Sequence, residues 1–229
     1  MSVDYNKFAK TFSKSRKNMK WEEIDYFISF LDSKIDISIL DIWCGNWRFL
    51  WVLKDKSIDT KNYLWVDLSD WLLQEAKNIY TENNFLQLNM LDLDKIPLSK
   101  SFPPREKDLF DYIFFIASFH HLDNLKDRFK VLKKAKKLLK NSWKIFMTNW
   151  ALNSELNNKK YKNSIISWTD NKFWSLDYNI KIWEYNRYYH CFSLDELSYL
   201  FEEVWFEVIE NKLFENNRNF ISIIQKKWD

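Results

Sequence analysis

The stretch Ile39-Leu-Asp-Ile-Trp-Cys-Gly-Asn-Trp-Arg-Phe-Leu50 decides how this chain is read. Its first four residues continue an apolar run from Ile37 to Ile42 that reads as a buried strand. From Trp47 to Lys54 the apolar residues recur at helical spacing. Between strand and helix lies a bend that holds Gly45, the chain's one glycine. A bend of this kind brings backbone close to whatever lies over the strand end, and glycine is the residue that allows it. Here an indole flanks Gly45 on each side, at Trp43 and Trp47.

The same oddity runs through the chain. An average glycine usage of about 7% predicts roughly sixteen glycines in a chain of this length, yet the 229 residues hold one glycine and 13 tryptophans. Trp143 stands between a helical pattern and an apolar strand, where a helix stops on a residue with φ > 0. Trp205 repeats the situation in Phe201-Glu-Glu-Val-Trp-Phe-Glu-Val208. The sequence therefore reads as glycine written as tryptophan, the outcome expected when a reassigned stop codon is decoded as glycine in the cell. The positions are Trp43, Trp47, Trp65, Trp143 and Trp205, with Trp51, Trp71, Trp174 and Trp183 as a second group. Trp21 and Trp150 read as true tryptophans. The alternative is a tryptophan-rich core, which would follow helix or strand periodicity.

Working outward, strands are predicted at Tyr63–Val66, Phe85–Leu88, Phe110–Ile116 and Lys144–Thr148, with helices between them at Leu72–Tyr80 and Leu125–Leu139. Residues 1–34 carry two helical patterns. Residues 150–190 break the rhythm and read as a substrate-side insertion. Ser193–Phe201 is a helix opened by a capping box of Ser193 and Glu196. Phe206–Leu213 and Asn219–Gln225 close as an antiparallel pair. The predicted fold is α/β: a Rossmann-like, seven-stranded, mostly parallel sheet with helices on both faces and an antiparallel last strand pair, in one domain spanning 1–229.

Composition narrows the class. No run of 18 apolar residues argues for a membrane span, and the N-terminus is polar. Two distant cysteines and three histidines give no zinc spacing. A reducing, cytoplasmic setting without metal is expected, and the net charge of +3 says little about partners.

With glycine at 43 and 47 the bend becomes Asp41-Ile-Gly-Cys-Gly-Asn-Gly. A dinucleotide fingerprint needs its third glycine one place later, at Arg48. The spacing favours S-adenosylmethionine (SAM) over a nicotinamide dinucleotide. Asp41 would order the loop near the methionine amino group. Asp67, ending the second strand, suits two ribose hydroxyls, and Asp92 suits the adenine amino group. Gly45, Asn46, Leu68, Leu91 and Ile116 complete the expected cofactor contacts.

Separate motifs also resemble one family. Tyr5-Asn-Lys-Phe-Ala-Lys-Thr-Phe-Ser13 with Arg16, Ile116-Ala-Ser-Phe-His-His-Leu122, Asn149-Trp-Ala151 and Arg187-Tyr-Tyr-His190 with Phe192 are similar, in order, to the tRNA wobble-uridine methyltransferases that esterify 5-carboxymethyluridine. Ser15 departs from the family's Thr, and Trp43 and Trp47 depart from its loop glycines. The resemblance implies a carboxylate acceptor held by Arg16 and Arg187. His120 and His121 would stand beside the methyl group, with Tyr5, Trp150, Tyr189 and His190 around the base. It also implies tRNA as partner, guided by lysines of the 126–140 helix, and an activator subunit in some relatives. Two other readings stay open: a SAM-dependent methyltransferase of a small metabolite, and a degenerate methyltransferase fold acting as a scaffold. An NAD-dependent enzyme is a distant third.

Overall fold

The computed structural model describes residues 21–32, 36–43, 45, 48–97, 109–168, 172–182 and 184–227. Tyr5, Arg16, Asn46, Trp47 and Trp183 lie outside them.

Helix α1 (Glu22–Ile28) precedes strand β1 (Ser38–Ile42). There follow α2 (Arg48–Asp55), β2 (Asn62–Asp67), α3 (Asp70–Ile79) and β3 (Asn84–Gln87). Then come β4 (Phe110–Ile116), α4 (Leu125–Leu138) and β5 (Leu139–Trp150). After α5 (Glu155–Tyr161), strands β6 (Ile165–Trp168), β7 (Leu176–Ile182) and β8 (Tyr185–Cys191) form their own antiparallel sheet. Helix α6 (Leu194–Glu203) and strands β9 (Phe206–Leu213) and β10 (Asn219–Lys226) close the described chain.

The main sheet has seven strands in the order β3-β2-β1-β4-β5-β10-β9. The first five are parallel to their neighbours, and β10 is antiparallel to both β5 and β9. The predicted class is the observed one. Order reverses between β1 and β4, so a crevice opens at their carboxyl ends, where ligands of open α/β sheets bind.

Alternation along the strands builds two cores. Leu40, Leu64, Ile113 and Ile145 face α4 and α6 through Val131, Leu132 and Leu200. Ile39, Tyr63, Phe114 and Phe146 face α1, α2 and α3 through Phe27, Phe49 and Leu73. Here aromatic rings replace branched side chains: Phe114 and Phe146 stack at 4.9 Å, and Phe49 meets Phe114 at 4.3 Å.

The 150–190 segment is thus a helix and a small sheet, and that sheet runs on to Cys191. A buried polar network fixes it. Arg128 of α4 pairs with Glu196 of α6 at 3.0 Å, both nearly without exposure. His190 of β8 lies 2.8 Å from Glu196 and 2.7 Å from Asp177 of β7. Burial alone would push the Glu196 carboxyl up, but hydrogen bonds from His190 and Ser175 and the Arg128 charge hold it below the ordinary range. Half of the predicted capping box is present: Ser193 Oγ accepts the Glu196 N–H at 3.1 Å. The Glu196 carboxylate does not reach back, because it serves this network instead.

The backbone bears on the tryptophans. Non-glycine residues with positive φ include Trp43 (60°), Trp174 (59°) and Trp205 (64°), a region where a bulky side chain clashes with its own carbonyl. Trp205 follows the last turn of α6 and donates its N–H to Glu202 at 2.8 Å, the place where helices stop on glycine. Trp143 differs from expectation: the left-handed residue is Ser142, and Trp143 lies within β5, edge-on to Tyr112 at 4.9 Å. Trp51 sits inside α2, and Trp65 is fully buried in β2, its Nε1 without a hydrogen-bond partner among the described residues.

Trp205→Gly is expected to stabilise the fold by about 1 kcal/mol, because the left-handed penalty disappears and the 62% exposed indole gives up little packing. A thermal melt should rise by roughly 2–4 °C. A lowered melting temperature would show that the indole's contacts outweigh the strain.

Candidate functional site

Asp41, Tyr63 and Asp67 point from β1 and β2 to one face of the sheet, with Asp41 and Asp67 toward the carboxyl ends and Tyr63 near the start of β2. Asp41 is fully buried, and its carboxylate accepts a hydrogen bond from the Tyr63 hydroxyl. Asp67 ends β2 and receives the Ser69 N–H at 2.8 Å and the Gly45 N–H at 3.3 Å. Gly45 has φ 76°, so the bend after β1 is pinned to the end of β2. Burial pushes the Asp67 carboxyl up to about 7, helped by the Asp41 charge and opposed by the Ser69 and Gly45 amides and by Arg187. Leu68 and Leu91 are partly buried beside this corner. Asp92 lies in a short 3-10 turn (Met90–Lys95) after β3 and pairs with Lys95 at 3.2 Å.

This carboxylate corner suits an adenosyl donor: a buried carboxylate at the second strand end has chemistry matched to vicinal hydroxyls. Trp43 does not suit it. Its Nε1–H donates to the Leu88 carbonyl at 3.2 Å. The indole therefore reaches from the end of β1 to the segment after β3, across the end of β2, over the ground the donor would occupy.

The second half of the site lies past β4. Ile116 is the last residue of β4, and Ala117 turns left-handed at φ 51°, held by its N–H to Thr148 Oγ1 at 2.8 Å. That bend starts a one-turn helix, Phe119–His121. His120 Nδ1 accepts the Trp150 N–H at 3.2 Å, which places the neutral ring's proton on Nε2. His121 Nδ1 lies 3.0 Å from the Tyr188 carbonyl, so it donates there and leaves Nε2 as an acceptor. Burial, then the Arg187 charge, holds both rings well below the ordinary histidine range. The pair is neutral, with one donor and one acceptor edge.

Strand β8 supplies the opposite wall. Tyr189 stacks on Trp150 at 4.9 Å with 4° between planes, and meets His121 at 4.7 Å and His120 at 5.2 Å. The Arg187 guanidinium lies over the Tyr189 ring at 5.5 Å. The Arg187 charge also reaches Asp67, weakly, and both histidines.

The structure thus gathers His120, His121, Trp150, Arg187 and Tyr189. His190 is elsewhere: neighbouring residues of a strand face opposite ways, and both of its ring nitrogens are engaged by Asp177 and Glu196. Its role is to fix β8, not to touch a base. Tyr188 likewise donates to Asp177 at 2.6 Å. Sequence reading missed the Thr148 clamp and the buried Ser118 and Asn149, whose Oγ and amide atoms have no hydrogen-bond partner among the described residues. Thr148 was recognisable only as a polar residue ending an apolar run.

Ribose hydroxyls donate to an ionised carboxylate, so SAM affinity should rise with pH as Asp67 loses its proton. In the chain carrying Trp43→Gly and Trp47→Gly, calorimetry should show affinity falling about tenfold per unit below pH 7. Asp67→Asn should flatten the profile, and an unchanged slope would remove Asp67 from the cofactor contacts.

Comparisons with known proteins bear on the domain and the fold. A methyltransferase domain profile matches residues 40–142. The tRNA (carboxymethyluridine(34)-5-O)-methyltransferase of Saccharomyces cerevisiae is 27% identical over 158 residues, covering 69% of this chain and 50% of the yeast protein. The chain therefore spans about half the length of that relative. A S-adenosylmethionine-dependent methyltransferase from Clostridium acetobutylicum superposes with TM-score 0.65 at 15% identity, over 99% of this chain and all of that one. A chain from the complex of the Haloferax volcanii Trm112 methyltransferase activator with a methyltransferase gives TM-score 0.67 at 11% identity, over the whole of both chains. Residues 40–142 thus match a methyltransferase domain, the chain has the fold of S-adenosylmethionine-dependent methyltransferases, and its sequence resembles the yeast tRNA carboxymethyluridine enzyme.

Proposed function

We propose that the chain methylates the carboxylate of a carboxymethyl-modified wobble uridine in tRNA. The observation that carries this reading is Arg187, a cation over the Tyr189 ring, which itself packs against the two neutral histidines. An acceptor that fits there carries a negative charge and a polar, neutral ring. A carboxymethyl group supplies the charge. The uracil edge alternates carbonyl acceptors with an N–H donor, which matches His120 offering a donor and His121 an acceptor.

SAM supplies an activated methyl group when bound. The acceptor carboxylate is ionised at neutral pH and needs no general base. The protein's work is therefore to hold it in line. Arg187 grips the carboxylate, the histidine pair orients the ring, and the Trp150 and Tyr189 rings wall the site against water. Arg16 and Tyr5 belong to the same proposal through the family motif alone.

The 27% identical yeast enzyme supports the tRNA substrate. So does α4, where Lys126, Lys130, Lys133 and Lys137 are exposed at helical spacing and suit a phosphate backbone. The other lysines of this stretch are used internally: Lys134 bonds Asp94, Lys136 the Val204 carbonyl and Lys140 Asp111. The Haloferax volcanii complex supports an activator subunit as a further partner. The same reading requires glycine at 43, and the left-handed backbone at 43, 174 and 205 supports glycine at all three.

Incubating the glycine-bearing chain with tRNA and SAM should add a methyl ester to the wobble uridine, seen by nucleoside mass spectrometry. Arg187→Ala should lower turnover ten- to a hundredfold, since a charged hydrogen bond contributes about 1.5–3 kcal/mol. SAM affinity should stay within a few-fold. An unmodified nucleoside profile, or loss of SAM binding in the variant, would overturn the proposal.

A further inference from the structure

A cleft of about 420 Å³ opens on the far side of Trp150 from β8, between α1, α5 and the start of β10. Sites for small organic groups span roughly 300–1,000 Å³. Its aromatic walls are Trp21, Trp150 and Tyr161, with Tyr161 against Trp150 at 6.0 Å and 30°. Two exposed cations stand at it, Lys160 and Arg218. Lys160 Nζ sits 5.0 Å from the Tyr161 ring centre.

The floor is polar and buried. Glu23, only 1% exposed, accepts from Asn219 Nδ2 at 2.7 Å and from Asn216 Nδ2 at 3.1 Å. That holds the Asn219 amide in one orientation. Asn219 Oδ1 is buried and has no hydrogen-bond partner among the described residues. An acceptor fixed in this way at a cleft wall calls for a donor from a ligand, because a buried unsatisfied polar atom is costly.

Aromatic faces, a fixed acceptor and two cations are together the requirements of one nucleotide: a base to stack, an N–H to donate and a phosphate to neutralise. Trp150 is shared with the acceptor site, where its ring stacks on Tyr189. We propose that this cleft binds a second nucleotide of the substrate RNA, the neighbour of the methylated one, splayed to the other side of Trp150. The inference rests on the RNA substrate proposed above.

The test is a fluorescence anisotropy titration of the full chain with a single-stranded RNA of anticodon-loop sequence, at several salt concentrations. Tyr161→Ala should weaken binding about tenfold, in the range for loss of one base stack. The Lys160→Ala, Arg218→Ala double variant should weaken it and lower the slope of log affinity against log salt by roughly 0.7, the value for one phosphate contact on a single strand. Melting temperatures identify any variant that fails to fold, and Lys160→Gln provides a milder change. RNA affinity and salt slope equal to the unaltered chain in all variants would overturn the cleft. If the variants lose RNA affinity but no methyl ester ever forms, the acceptor reading falls and the cleft stands. If the ester forms and the variants bind RNA normally, the cleft alone falls.

Discussion

The amide of Gly45 reaching the buried carboxylate of Asp67 is the contact on which the rest of the site depends. It ties the bend after the first strand to the end of the second, at the point where strand order reverses. A left-handed backbone makes the bend narrow, and Ser69 holds the second carboxylate oxygen. Asp67 is thus fixed in position, and burial outweighs its hydrogen bonds to raise the carboxyl to about 7.

A second constraint places the acceptor. The buried Arg128–Glu196–His190–Asp177 chain ties the small sheet to α4 and α6, and that sheet's apolar residues share the core under the large sheet. Such a network contributes little net stability, since desolvation offsets its attraction, but it permits few arrangements. It sets β8 so that Tyr189 meets Trp150 of the main sheet in a parallel stack and Arg187 lies over Tyr189. One face of β8 is held by the polar contacts of His190 and Tyr188, and the other carries Arg187 and Tyr189 toward the histidine pair.

Much of this was legible in the sequence, for physical reasons. Apolar runs broken at the expected spacing gave the strands, and carboxylates at strand ends marked the crevice. Contacts between distant segments were not legible. Trp150 and Tyr189 are 39 residues apart and belong to different sheets, so no periodicity pairs them. His190 was misplaced because Arg187-Tyr-Tyr-His190 was read as one binding unit, whereas strand alternation sends His190 and Tyr189 opposite ways. Trp143 was misplaced because α4 runs directly into β5 through Leu139, leaving the left-handed residue inside an irregular strand at Ser142. Trp43 and Trp205 fared better, since their flanks already demanded a turn; Trp174, named without such a flank, has a left-handed backbone as well. The lysine helix reads as a uniform stripe until the structure assigns some of its charges to internal partners.

The central claim is that the donor's seat is the crevice at the ends of β1, β2 and β3, and that the indole of Trp43 occupies it. Calorimetry of SAM against two forms of the chain tests this directly: the sequence as written, and the same sequence with glycine at 43 and 47. The account predicts saturable binding for the glycine form and none for the tryptophan form. Equal binding by both, or no heat from the glycine form at millimolar SAM, would contradict it.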